Sequence, residues 1–136
     1  MNLVVDTNVL VSGLLTPFGA CGQIVHLLVG GSLVACYDAR ILSEYREVLQ
    51  REKFGFDRGH VDVLLAYIEN TGIACVSAPL DVRLPDLDDE PFLEVAIAAR
   101  AVCLVTGNQV HYPEHARNGV TVCTPQECLQ LFRARR

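Results

Sequence analysis

The sequence predicts an α/β fold: a parallel sheet of five strands covered on both faces by helices. Three observations carry that reading. Short apolar runs alternate with longer amphipathic ones along the whole chain, the pattern of strand–helix–strand crossovers. The composition is 51% hydrophobic, above the usual range, as strands buried on both faces require. The 136 residues fit one compact domain, 1–136, with no linker, repeat or low-complexity tract to divide it. A chain of that length buries roughly two thirds of its unfolded surface and needs no cross-links.

Residues 3–5 form an apolar run closed by Asp6 and read as the first strand. Residues 8–15 are helix-like until Thr16-Pro17-Phe18-Gly19 interrupts them, and a helix resumes over 20–29 and stops at Gly30-Gly31. Residues 33–37 are the second strand. Residues 39–51 form an amphipathic helix with Ile41, Leu42, Tyr45, Val48 and Leu49 on its apolar side. After a connector at 53–59, Val61, Leu64, Leu65 and Ile68 recur at helical spacing over 60–70, and Gly72 closes that helix. Residues 73–76 are the third strand and 79–88 a loop. Residues 89–101 are a helix turning Phe92, Leu93, Ala96, Ile97 and Ala99 inward, and 102–105 are the fourth strand. Residues 108–118 are irregular or weakly helical, and 120–123 are the fifth strand. The last helix has the clearest start: Thr124-Pro125-Gln126-Glu127 is a capping box with Pro at its first position.

Charge and cysteine usage narrow the function. A net charge of −5 argues against a broad basic surface for non-specific nucleic-acid binding. A nucleic-acid enzyme remains open, because metal neutralises acids gathered in one pocket. Ten of the eleven basic residues are Arg, whose planar fork suits phosphate. The six Cys form no Cys-x-x-Cys pair and sit mostly in apolar runs, so buried free thiols in the cytoplasm are expected. The N-terminus shows no basic region ahead of its apolar residues, and no apolar run reaches the ~18 residues of a membrane span.

The acids carry the chemistry. Asp6, Thr7 and Asn8 are three good helix caps in a row, and one helix needs only one. That leaves an acid free at a strand end. Glu44 shares one side of its helix with Ile41 and Val48, which aims it at a crevice, whereas Glu47 has Ser43 and Arg51 for neighbours and reads as solvated. Asp88 and Asp89 both precede the fifth helix, but only one can cap it. The extra carboxylate adds repulsion that a cation would relieve. Asp86 reads as a loop acid. His111 and His115 stand at i, i+4, but Pro113 between them breaks the helix a zinc pair would need. In open α/β sheets chemistry lies beyond the carboxyl ends of the strands, where strand order reverses. If strands one and four are neighbours, Asp6 and Asn108 face one crevice.

Three blocks, VVDTNVLVSGLL, ILSEYREVLQREKF and PDLDDEPFLEVAIAARAVCLVTGN, resemble the acidic blocks of PIN-domain nucleases in order and spacing over nearly the whole chain. More narrowly, the chain is similar to the compact bacterial branch of VapC-like toxins from toxin–antitoxin pairs. The resemblance implies a three-layer α/β/α fold and a Mg²⁺- or Mn²⁺-dependent ribonuclease. It puts the family's metal-binding acids on Asp6, Glu44 and Asp89, and the fourth catalytic position on Asn108, where the family often has Asp. With that position neutral, one firmly held metal is expected in the free protein. Thr7, Asn8, Thr106 and His111 fall where substrate or water would be positioned. The partners implied are RNA, an antitoxin protein and a second copy of the chain in a homodimer or larger oligomer, with no membrane. Two rival readings stand beside this one. A receiver-type signalling domain would need a Lys after a late strand, and the only Lys is Lys53. A PIN-like RNA- or protein-binding domain without catalysis would treat Asn108 as a lost acid.

Overall fold

The structure, a computed structural model, describes residues 1–135. Five parallel strands form one sheet: β1 (Asn2–Val5), β2 (Val34–Tyr37), β3 (Ile73–Ala74), β4 (Cys103–Val105) and β5 (Val122–Cys123), in the spatial order β3-β2-β1-β4-β5. Six helices accompany them: α1 (Thr7–Leu15), α2 (Ala20–Val29), α3 (Ala39–Leu49), α4 (Arg58–Thr71), α5 (Glu90–Ala99) and α6 (Pro125–Ala134). Successive strand residues point to opposite faces of a sheet. Leu3, Val4 and Val5 are nevertheless no more than 1% exposed, so both faces are covered at β1. Cys103, Leu104 and Val105 show the same at β4. α5 lies across β1, β2 and β4, while α6 rests on β4 and β5 and also meets α2.

Element identities agree with the sequence pattern, and most differences fall at ends. Asp57 accepts a hydrogen bond from the His60 amide at 3.0 Å and so starts α4 at Arg58, earlier than the apolar spacing suggested. The third strand is shorter than 73–76. Only Ile73 and Ala74 pair with β2, because β3 is the sheet's edge, is exposed, and has no partner on its outer side to extend the ladder. β5 likewise begins at Val122. α5 starts at Glu90, because Asp89 closes a single 3₁₀ turn (Leu87–Asp89), and it ends where Arg100 turns left-handed at φ 50°. The region 108–118 contains two short 3₁₀ turns, Gln109–His111 and Glu114–Ala116. The capping box of α6 forms as read: the Glu127 amide donates to Thr124 Oγ1 and the Thr124 amide to Glu127 Oε1.

The Thr16–Gly19 break bends α1 against α2 by 101°. Gly22 makes the bend tight, since a Cβ there would stand 2.0 Å from the Pro17 carbonyl oxygen. No single helix among the described residues is long and apolar enough to cross a membrane. All six cysteines are free. The sulfurs of Cys103, Cys123 and Cys128 lie within 4.8 Å of one another in the core.

The segment between β3 and α5 is tied to α5 by two acids that the sequence reading did not single out. Glu90 and Glu94 are both buried, one helical turn apart. Glu94 accepts from the Leu80 amide at 3.2 Å and from Arg40 Nη1 at 2.8 Å. Glu90 accepts from the Leu84 amide at 2.9 Å and from Arg83 Nη1 at 2.8 Å. A buried carboxylate needs such partners, because its hydration is lost. The two ties, with Leu80 and Leu84 buried beside them, hold the chain in place up to Asp86.

Candidate metal centre

The chain order reverses between β1 and β4, the place where an open parallel sheet presents a crevice. The register pairs Val5 with Val105, so Asp6 and Thr106 leave the sheet side by side. Asp6 occupies the cap position of α1, yet its side chain makes no cap hydrogen bond. Its Oδ2 instead accepts from Thr106 Oγ1 at 2.9 Å and from the Tyr112 hydroxyl at 3.0 Å. Its carboxylate therefore has partners across the sheet in addition to the nearby Thr7 and Asn8 amides. The three polar residues in a row have three separate tasks: Asp6 faces β4, Thr7 Oγ1 donates to the Glu44 carboxylate, and Asn8 Oδ1 accepts from the Gly107 amide at 3.4 Å.

Glu44 is half-buried on α3, whereas Glu47 is exposed and pairs with Arg51 at 2.9 Å, as their different neighbours on the helix predicted. Asp89 is buried at the entrance to α5, and its Oδ2 lies 3.0 Å from His111 Nδ1. The other ring nitrogen, Nε2, lies 3.1 Å from Asn108 Nδ2. The neutral tautomer with the proton on Nδ1 satisfies both contacts: the ring donates to Asp89 and accepts from Asn108. The Asn108 amide also donates to Thr106 Oγ1 at 3.1 Å. A chain of hydrogen bonds thus runs from Asp89 through His111, Asn108 and Thr106 to Asp6.

All three carboxylates are harder to ionise than usual. Burial pushes Asp6 up, against the Thr106 and Tyr112 hydroxyls that favour its anion. Burial also pushes Glu44 up; the Thr7 hydroxyl opposes this, while the charges of Asp6, Asp88 and Asp86 add to it. Asp89 is raised to about 6, first by burial, then by Asp6 and Asp86, with His111 acting the other way. Among the described residues no Arg or Lys forms an ion pair with any of the three. Like charges held together in partial burial, with oxygen donors and no Arg or Lys partner, fit a hard divalent metal ion.

The tightest set of ligand atoms at this end is Asp86, Asp89 and His111, within 4.8 Å of one another. Asp6 and Glu44 stand outside that set. Asp86 does more than a loop acid would, since its Oδ1 accepts from the Asp88 amide at 2.9 Å and caps the turn carrying Asp89. An Asp three residues ahead of an Asp at a helix entrance was the available signal. Asp88 is exposed. His115 sits on a separate turn from His111, also exposed.

Residues 2–110 match the family model for the PIN domain. The chain belongs to the PIN-domain family. PIN domains are generally nucleases, hydrolases that use divalent metal ions, and the acidic crevice here has the donors for one. No curated protein and no solved structure matches the chain. The matched span takes in both Asp6 and Asn108 and stops short of His111 and Tyr112. Its strand order also excludes the receiver reading, because receiver domains run 2-1-3-4-5 and this sheet runs 3-2-1-4-5. Lys53 lies over the Phe54 ring, 5.1 Å from its centroid, in the turn after α3.

Proposed function

We propose that this PIN domain is a Mg²⁺- or Mn²⁺-dependent endoribonuclease. The observation carrying the reading is the trio Asp6, Glu44 and Asp89: three partly or fully buried carboxylates, each raised by burial, without an Arg or Lys partner, at the switch point of the sheet. These acids would hold the ion, with Asp86 and His111 within reach of Asp89. When bound, the ion supplies Lewis acidity and neutralises charge that builds on the phosphodiester. The chain's own residues supply the rest. Thr7 fixes the Glu44 carboxylate, Thr106 fixes Asp6, and Asn108 holds His111 against Asp89. Asn8 braces the Gly107 turn beside them. The crevice must stay anionic for the ion to bind, so RNA binds poorly until the ion is in place.

The decisive assay offers single-stranded and structured RNA to the protein with Mg²⁺, Mn²⁺ or excess chelator. Cleavage with either metal and none with chelator is the expected result. Cleavage that survives chelation would refute the reading. RNA binding without cleavage would favour the non-catalytic alternative. Similarity of the three acidic blocks to VapC-like proteins supports a role as the toxin of a toxin–antitoxin pair. An antitoxin and a second copy of the chain would then be its protein partners, acting in the cytoplasm.

Asn108→Asp tests the fourth position. The new carboxylate cannot donate to His111 Nε2 as the amide does, and it adds a fourth negative charge to the crevice. The metal-free variant should melt slightly below wild type, and Mn²⁺ should bind about tenfold tighter by titration calorimetry. Unchanged Mn²⁺ affinity would mean that position 108 does not act on the metal.

A further inference from the structure

We propose that Tyr112 is a positioning residue for Asp6, fixing which of its carboxylate oxygens is left to bind the metal ion; this rests on the nuclease reading above. Tyr112 follows the 3₁₀ turn Gln109–His111 and is fully buried. Its hydroxyl donates to Asp6 Oδ2, the same oxygen that takes the Thr106 hydroxyl. Two side-chain donors on one oxygen hold the carboxylate plane in one orientation. Oδ1 takes no side-chain donor, which leaves it the more open of the two oxygens to an ion, with the Thr7 and Asn8 amides near the same carboxylate. A buried carboxylate tethered by a single hydroxyl can still swing about that bond, whereas two donors at 2.9 and 3.0 Å remove the freedom.

The placement of Tyr112 is itself secured. The Tyr112 amide donates to the Gln109 carbonyl at 3.0 Å, and its carbonyl accepts from Arg117 Nε at 2.6 Å. His111, the preceding residue, contacts Asp89 from the same short segment. One stretch of chain beyond β4 thus reaches two of the three acids, through adjacent side chains. Asp6 and Tyr112 are 106 residues apart in sequence, and only the neighbouring positions of β1 and β4 bring them together.

Tyr112→Phe deletes one oxygen and keeps the ring. The control is Tyr37→Phe, which also removes the hydroxyl of a buried tyrosine, one donating to the Glu69 carbonyl at 2.7 Å on another part of the sheet. Titration calorimetry with Mn²⁺ alone should show Tyr112→Phe binding about tenfold more weakly than wild type, and Tyr37→Phe binding equally well. Because a loss of stability would affect both variants, a loss of affinity confined to Tyr112→Phe identifies positioning. Should Tyr112→Phe fail to fold, 3-fluorotyrosine placed at 112 in the otherwise unchanged chain gives a second reading. Its ¹⁹F resonance should move with Mg²⁺ saturation, while the same label at 37 stays still. Equal Mn²⁺ affinity in wild type and Tyr112→Phe, or a 112 label blind to Mg²⁺, overturns the proposal and leaves the nuclease reading intact. A wild-type protein that binds neither ion overturns both.

Discussion

Asp6→Asn is expected to lower metal-dependent RNA cleavage by at least ~10²-fold, the scale of losing one preorganised charge contact. The fold should survive. Asn has the shape of Asp, and the hydroxyls of Thr106 and Tyr112 can rotate to accept from an amide as readily as they donate to a carboxylate. The substitution also removes a buried charge that burial already disfavours, so the metal-free protein should melt no lower than wild type. Single-turnover cleavage and a thermal melt in chelator together make the measurement. Cleavage equal to wild type would remove Asp6 from the metal centre. A collapsed fold would show that the charge of Asp6 is structural.

Without metal, the protein should grow less stable as pH rises from about 4 to about 6. The sign follows from the direction of the shifts. Asp89 has an ordinary value of 3.8 and stands at about 6 in the folded chain, and Asp6 and Glu44 are raised as well. Between the unfolded and folded values the native state holds more protons than the unfolded one, so stability falls with rising pH. Above the folded values both states are ionised and the loss is complete. With allowance for solvent screening at the crevice, the loss is on the order of 2 kcal/mol, or several degrees in Tm. In chelator, melts at pH 5 should therefore lie above melts at pH 7.5. Saturating Mg²⁺ should raise the pH 7.5 melt and flatten the difference, because the ion replaces the proton as the neutralising charge. A chelated protein whose Tm is level or higher at pH 7.5 would show that the folded chain does not raise these acids.

Much of this was legible in the sequence, for identifiable reasons. Strands buried on both faces leave continuous apolar runs, so β1 and β4 were readable. α6 announced its own start through Thr124 and Glu127. β3 was read too long because pairing at an edge depends on its one neighbour, and residues 73–76 carry no mark of where that neighbour stops. Asp6 stood out through a surplus of caps, and Glu44 through its place beside Ile41 and Val48. Glu90 and Glu94 were invisible as buried acids, since their partners Arg40, Leu80 and Leu84 lie on other segments and nothing in the helix pattern points to them. Tyr112 was hidden for the same reason. Its partner is at the opposite end of the chain, so nothing beside Tyr112 in sequence points to Asp6.

The paired ties of Glu90 and Glu94 fix the spacing of the segment that precedes α5. Leu84 lies four positions after Leu80 and Glu94 four after Glu90, so the segment runs back along the helix with its two amides met by the two carboxylates. Inserting or deleting a residue between Leu80 and Leu84 would leave at least one buried carboxylate without its amide. Between Arg83 and Glu90 the chain carries Asp86 and Asp89 around the helix entrance. Surface segments usually tolerate changes in length, but this one should not. Across natural variants of the chain, insertions should therefore collect in the α3–α4 connector and after His115, while 80–94 keeps a constant count of residues.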